Sequence, residues 1–312
     1  MTLRRITVLG ECVADAFTDH HRETRGGLTL RVHPGGGPAN TAVALARLGT
    51  PTRFLGRLST DVFGRLFREH LTASGVDVSG CVTAAEPSTL AVADLDGQGR
   101  AEYSFHASGT ADWQWTPAEL AQEPAGDPCA VHTGSLALVR PPGGTVVEDF
   151  LARAAERATV SIDPNVRTLL VDPTAYRARL EHWCELADLL RLSEDDLAEL
   201  LPGTPPEAAC RRWHTAGVPL VVVTLGARGA LLSLHGEQVT VPAPPVTIAD
   251  TVGAGDAFTA GLLHHLAGQG LLGGRLNHLD LPHLTAAAHF ATHVAALTCA
   301  APGADPPWAH QL

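Results

Sequence analysis

Asp250-Thr251-Val252-Gly253-Ala254-Gly255-Asp256-Ala257-Phe258 decides how this chain is read. Its two glycines, separated by one alanine, let the backbone turn tightly, and the run Ala257-Phe258-Thr259-Ala260-Gly261-Leu262-Leu263 predicts the start of a packed helix. A glycine turn opening a helix presents unpaired N–H groups, and the positive end of the helix dipole adds to them, so phosphate is the natural guest. Asp256 lies where those amides converge. A carboxylate there cannot bind phosphate by charge; it is better placed to take a proton from a hydroxyl attacking a phosphoryl group. For an isolated Gly-Ala-Gly-Asp, an acidic helix cap is an equally good reading, so the rest of the chain must decide.

With 312 residues and 45% hydrophobic content, the chain can bury a large core, as one α/β domain with an appendage or as two domains. The net charge of −11, from 33 acids against 22 bases with no basic run longer than a pair, disfavours a nucleic-acid partner. There is no lysine, so every basic side chain is arginine. Walker-type and protein-kinase lysines and Schiff-base chemistry are thereby excluded, and phosphate charge must be met by arginine, metal or backbone amides. Six cysteines at 12, 81, 129, 184, 210 and 299 lack the C-x-x-C spacing and suggest a reducing compartment. Glu11 and Asp15 interrupt the apolar amino terminus too early for a signal sequence, and Leu284 to Ala301, carrying His289 and His293, reads as a core helix. A cytoplasmic protein without a membrane partner is expected.

Ile6 to Gly10 predicts a short strand that ends ahead of Asp15, where open α/β sheets keep ligand groups, so Asp15 is a candidate acceptor for sugar hydroxyls. Leu28, Leu30 and Val32 alternate with polar residues, as in a strand wet on one face. Gly35-Gly36-Gly37-Pro38-Ala39-Asn40 leads into an apolar run ending at Gly49, which predicts a helix whose entry lets a ligand lie against bare backbone. The dinucleotide fingerprint is not met, because Asn40 stands in place of its third glycine. Asp61 is expected to cap a helix reaching Leu71. Strands at Leu90 to Leu95 and Ala101 to His106, joined by Asp96-Gly97-Gln98-Gly99, read as a hairpin covering the site.

From Ala130 the chain alternates strand-like and helix-like segments. Strands are expected at Ala130 to Thr133, Ala158 to Ile162, Leu189 to Leu192, Leu220 to Thr224 and Ala230 to Leu234, several of them continuous apolar runs, which indicates a mostly parallel sheet covered on both faces. Asp163-Pro164-Asn165-Val166-Arg167 follows one strand, and Arg167 is the first choice for a cation near phosphate. His289 and His293 are one helical turn apart, but a metal site there lacks further ligands.

Together these strings resemble, over essentially the whole chain, the ribokinase-like (PfkB-type) carbohydrate kinases. The opening stretch matches their C-terminal signature D-T-x-G-A-G-D-x-F, and G-G-x-P-A-N-x-A resembles their N-terminal one. Asp163 to Arg167 is similar to their D-P-N-x-R motif, and Thr224-Leu225-Gly226-Ala227-Arg228-Gly229 to their T-x-G-x-x-G nucleotide loop. Ser193-Glu194-Asp195-Asp196 stands where many members have N-x-x-E and resembles the fructokinase branch, as does Tyr103 to Trp113.

The resemblance implies one domain over 1–312, a three-layer α/β sandwich with a mostly parallel central sheet and a small β-sheet lid from about 14–34 and 87–112. It implies that Asp256 is the catalytic base, in a catalytic loop with Gly253, Ala254 and Gly255, and that the amides of Ala254, Gly255 and Asp256 form the anion hole. Asp15, Gly36, Gly37, Asn40 and Arg167 would meet the sugar; Thr224, Gly226, Gly229 and His289 would meet ATP. Magnesium is expected, with Asp196 contacting it through a bound water, and potassium at Asp250 and Thr251. The expected reaction is transfer of the ATP γ-phosphate to a small uncharged sugar, fructose first, with a homodimer formed through the lid. Alternatives are 2-keto-3-deoxygluconate, ribose or nucleoside kinases, and a sugar-sensing binding protein, which should have lost Asp256, Gly253 or Gly255. The missing fingerprint disfavours a nicotinamide dehydrogenase.

Overall fold

The computed structural model describes residues 4–18, 27–95, 101–121 and 127–312. Its strands are β1 Ile6–Leu9, β2 Val13–Thr18, β3 Leu30–Gly35, β4 Thr52–Leu55, β5 Arg57–Ser59, β6 Val82–Ala84, β7 Thr89–Leu95, β8 Ala101–His106, β9 Ala130–Gly134, β10 Thr159–Asp163, β11 Leu189–Ser193, β12 Leu220–Thr224, β13 Ala230–Leu234 and β14 Glu237–Val241. The α-helices are α1 Gly37–Arg47, α2 Val62–Ala73, α3 Pro117–Ala121, α4 Gly143–Ala154, α5 Pro173–Leu186, α6 Glu194–Leu200, α7 Pro206–Thr215, α8 Ala254–Gly268 and α9 Leu281–Cys299.

Eight strands form the central sheet in the order β14-β13-β12-β11-β10-β9-β1-β4. Pairing is parallel from β4 to β12, and β13 and β14 close the edge antiparallel. The apolar runs that predicted a doubly covered sheet work by alternation. Leu220 and Val222 of β12 pack into one core cluster with α1, α2, α8 and α9, whereas Val221 and Val223 pack into a second with α4, α5, α6 and α7. Successive side chains of a strand point to opposite faces, so a sheet buried on both sides needs an apolar residue at every position. This is the expected three-layer sandwich. No helix among the described residues is long and apolar enough to cross a membrane, and α9 is a core helix.

A second sheet, β3-β2-β7-β8, stands apart from the central one. Strands β7 and β8 pair antiparallel in the register Leu90↔His106 to Leu95↔Ala101, and the expected turn from Asp96 to Gly99 lies outside the described residues.

Helix starts follow from local chemistry. The Asp61 carboxylate accepts the Gly64 N–H at 2.8 Å and opens α2, as the sequence predicts, and Asp280 does the same for α9 through His283. The α1 start has no side-chain cap; Gly36 takes φ 105° and Pro38 occupies the first turn. That positive φ is open to glycine, and a Cβ on Gly36 would stand 2.5 Å from the Glu11 carbonyl oxygen.

Because β1, β9, β10, β11 and β12 are parallel neighbours, their C-terminal ends share one rim. That rim carries Glu11, Ser135, Asp163, Ser193 and Thr224 in spatial succession, which is where an open α/β sheet holds its ligands.

Candidate active site

A cleft of about 1080 Å³ opens along this rim, between the central sheet and the second sheet. Such a volume is at the upper end of small-molecule sites and accommodates two ligands side by side. The central sheet lends it Glu11, Ser135, Ser193 and Thr224; the second sheet lends Asp15, Ala91 and Phe105; α9 lends Thr292 and Ala296.

At its centre lies the start of α8. Gly253 is the N-cap in the left-handed region, φ 77°, and Ala254, Gly255 and Asp256 form the first turn. Amides in a helix's first turn have no partner within it; that of Ala254 donates to the Thr251 carbonyl at 3.3 Å, and Gly255 and Asp256 line the cleft beside it. The Asp256 carboxylate is half-buried there and accepts a hydrogen bond from Asn40 Nδ2 at 2.9 Å. A Cβ on Gly37 would meet Asn165 Nδ2 at 2.6 Å and Asp256 Oδ1 at 3.3 Å, so the glycines opening α1 let its backbone close onto the base candidate. Motifs 216 residues apart in sequence thus share one carboxylate. Burial pushes Asp256 up to about 6; the Asn40 hydrogen bond and the Arg167 and Arg191 guanidinium groups pull the other way, and Asp163 adds to the rise.

Asp15 projects from β2 into the same cleft, where burial raises it to about 6 against the pull of Arg167. Arg167 follows β10 in a loop held by Tyr176 Oη, which accepts its N–H at 3.2 Å; its side chain lines the cleft, donates to the Val166 carbonyl at 3.3 Å, and its charge favours the ionised forms of Glu11, Asp15 and Asp256. Thr224, Gly226 and Gly229 line the other end, where Leu225 N–H donates to the Gly229 carbonyl at 2.8 Å and shapes the turn.

Three expected residues need comment. His289 is exposed on α9 and is not among the cleft residues; Thr292, Ala295, Ala296 and Cys299 of the same helix are. The cleft reaches only the last two turns of α9, and His289 precedes them by one turn. Asp250 lies behind the loop. Its Oδ1 accepts the Val252 N–H at 3.0 Å and its Oδ2 the Gly303 N–H at 2.9 Å, while Thr251 faces the cleft. Asp196 closes a capping box with Ser193 and also accepts the Val166 N–H at 2.7 Å, tying α6 to the Arg167 loop. Donors from Ser193 N, Ser193 Oγ and Val166 N occupy three of its roughly four acceptor sites.

Two residues escape the sequence reading. Glu11 is buried at the rim, with one carboxylate oxygen unpartnered among the described residues, and burial raises it to about 7. Arg191, also buried, donates from Nη1 to Asp163 Oδ2 at 2.6 Å and from Nη2 to Thr224 Oγ1 at 2.7 Å. The available signal was a lone charge inside the apolar strand Leu189-Leu190-Arg191-Leu192.

A half-buried carboxylate at a helix start, beside a second carboxylate in a cleft for two ligands, is suited to moving a phosphoryl group onto a hydroxyl. Comparisons with known proteins agree. The chain is 37% identical over 265 residues to a fructokinase of Rhizobium leguminosarum bv. trifolii, covering 84% of this chain and 80% of that protein. Among solved structures, the fructokinase of Vibrio cholerae O395 with fructose, ADP and calcium bound superposes with a TM-score of 0.83 at 30% identity, over 97% of this chain and 95% of that one. The fructokinase of Xylella fastidiosa with bound ATP gives 0.85 at 27% identity, over 97% and 94%. The family model described as pfkB family carbohydrate kinase matches residues 3–311, and the chain belongs to that family.

Proposed function

We propose that this enzyme transfers the γ-phosphate of ATP to a hydroxyl of fructose, with Asp256 as the base. The observation that carries the reading is the Asp256 carboxylate, half-buried at the start of α8 and held by Asn40. The acceptor hydroxyl gives its proton to Asp256 as its oxygen attacks the γ-phosphorus, and the Ala254, Gly255 and Asp256 amides hold the developing charge. Asp15, Gly36, Gly37 and Asn40 orient the sugar, and Arg167 supplies the cation facing the carboxylates. Thr224, Gly226 and Gly229 seat the nucleotide, with Thr292 and Ala296 of α9 beside it in place of His289.

The donor set fits the ions expected with ATP. Asp196 keeps one acceptor site for a magnesium-bound water, and each Asp250 oxygen keeps a lone pair after its N–H bond, as a potassium site with Thr251 requires. Magnesium, when bound, neutralises phosphate charge.

The second sheet acts as a lid over the sugar, excluding water as a competing acceptor. In register, Phe17, Ala93 and Tyr103 form an apolar row on the face that continues from Asp15, and Phe17 and Tyr103 are exposed. A second copy covers that row in a homodimer, which light scattering would report as twice the chain mass; a monomer at micromolar concentration contradicts it. The six cysteines, all free, suit a reducing cytoplasm.

An ADP-release assay across fructose, ribose, 2-keto-3-deoxygluconate and adenosine tests the acceptor. Highest kcat/KM on fructose is expected, because the stretch from Tyr103 to Trp113 around His106 carries no arginine to meet an acid. Preference for the keto-acid would overturn that choice.

A further inference from the structure

The strand β11 is apolar at Leu189, Leu190 and Leu192, yet it places Arg191, only 5% exposed, against the loop that starts α8. The packing is close. A Cβ on Gly255 would stand 2.6 Å from Arg191 Nη2, 2.8 Å from Nη1 and 3.1 Å from Cζ, so the whole end of the guanidinium rests on bare Gly255 backbone. Gly255 has no positive φ that would demand glycine. Its missing side chain is explained by this seat.

The guanidinium is fixed from both sides, by Asp163 on β10 and Thr224 on β12. Burial works against its charge, but Asp163, then Asp196 and Asp256, more than offset that and keep it protonated. A buried ion pair is weak evidence for a stabilising role, since apolar substitutes often fold as well. Here the pair lies under the amides proposed to hold the transferring phosphoryl group, in a chain without lysine.

We infer that Arg191 is a positioning residue for phosphoryl transfer: seated on Gly255, it fixes the anion-holding turn and places a permanent positive charge beneath it. The inference rests on the kinase reading above. Its effect belongs to the transition state, where charge on the phosphoryl oxygens is greatest, so kcat should suffer and fructose KM should not. The charge also bears on Asp256, whose charged neighbours are Asp163 on β10, Arg167 after β10 and Arg191 on β11, with the neutral Asn40 on α1. Both arginines favour the carboxylate form and Asp163 opposes it. Removing Arg191 therefore moves the acid limb of kcat to higher pH.

The test compares wild type, Arg191→Met, Arg191→Lys and the double variant Arg191→Met/Asp163→Asn, with Mg-ATP and fructose. Arg191→Met should lower kcat by about 10²-fold, leave fructose KM within about threefold, and raise the pH of the acid limb. Arg191→Lys, keeping the charge without the fork, should recover to within about tenfold of wild type. The double variant leaves no orphaned buried charge and carries the test should Arg191→Met fail to fold. It should stay as slow as Arg191→Met, with its acid limb back at or below the wild-type pH, because the Asp163 charge is gone too.

If Arg191 merely neutralises Asp163, the double variant regains wild-type kcat, and the inference falls. It falls equally if Arg191→Met turns over within about threefold of wild type. A wild type that releases no ADP with any sugar fails the kinase reading itself and takes this inference with it.

Discussion

Asp256 ties the chemistry to pH. As the proposed base it must be unprotonated, and burial sets it at about 6 rather than in the ordinary carboxylate range. Lowering the pH through 6 protonates it, so kcat should fall about tenfold per pH unit below that point and level off above it. Asp15 rises to about 6 as well, and as the proposed sugar-binding group it should appear in KM. A kcat that stays flat from pH 5 to pH 8, measured on folded enzyme at saturating fructose, contradicts the assignment. Asp256, Asn40 and the glycines were legible because each belongs to a string whose spacing carries meaning. Glu11 and Arg191 were not, because each acts through neighbours from other strands: Glu11 is set by burial beside Ser135, Arg191 by Asp163 and Thr224.

At the scale of the element, the start of α8 must present amides and leave room for what lies beneath. Gly255→Ala should lower kcat by about 10²-fold or more with far-UV circular dichroism unchanged, because an added methyl at 2.6 Å from Arg191 displaces either the guanidinium or the turn. Wild-type turnover in that variant would show that the seat has slack. Helix α9 marks the limit of sequence reading for elements. Its existence was plain from a long apolar run, but how far the cleft extends along it depends on where β12 and the loop before α8 end, which no local pattern reports. Strand β14 was missed for a related reason: it is an edge strand, half exposed, and its pattern of polar residues resembles a loop.

The whole molecule is two apolar clusters on opposite faces of one sheet, so neither can dissolve without exposing the other's floor. Urea unfolding should accordingly be a single transition. Trp113, Trp115, Trp183 and Trp213 all belong to the α4–α7 side, so tryptophan fluorescence follows mainly that cluster while circular dichroism follows both. Coincident midpoints are expected, and midpoints separated by more than about 0.5 M urea contradict a shared core. The parallel sheet was readable from continuous apolar strands, because burial on both faces erases the polar alternation of a half-wet strand. The spatial order of its strands was not, since order is fixed by helix crossovers rather than by any strand's own sequence.

The most direct measurement is ADP release by wild type and Asp256→Asn with Mg-ATP and saturating fructose. Asparagine keeps the size of the side chain beside Asn40 and removes only the basic oxygen. Fructose-dependent release by wild type should be robust and should fall by about 10²-fold or more in the variant. Release that depends on fructose but survives in Asp256→Asn to within a few-fold would contradict Asp256 as the base.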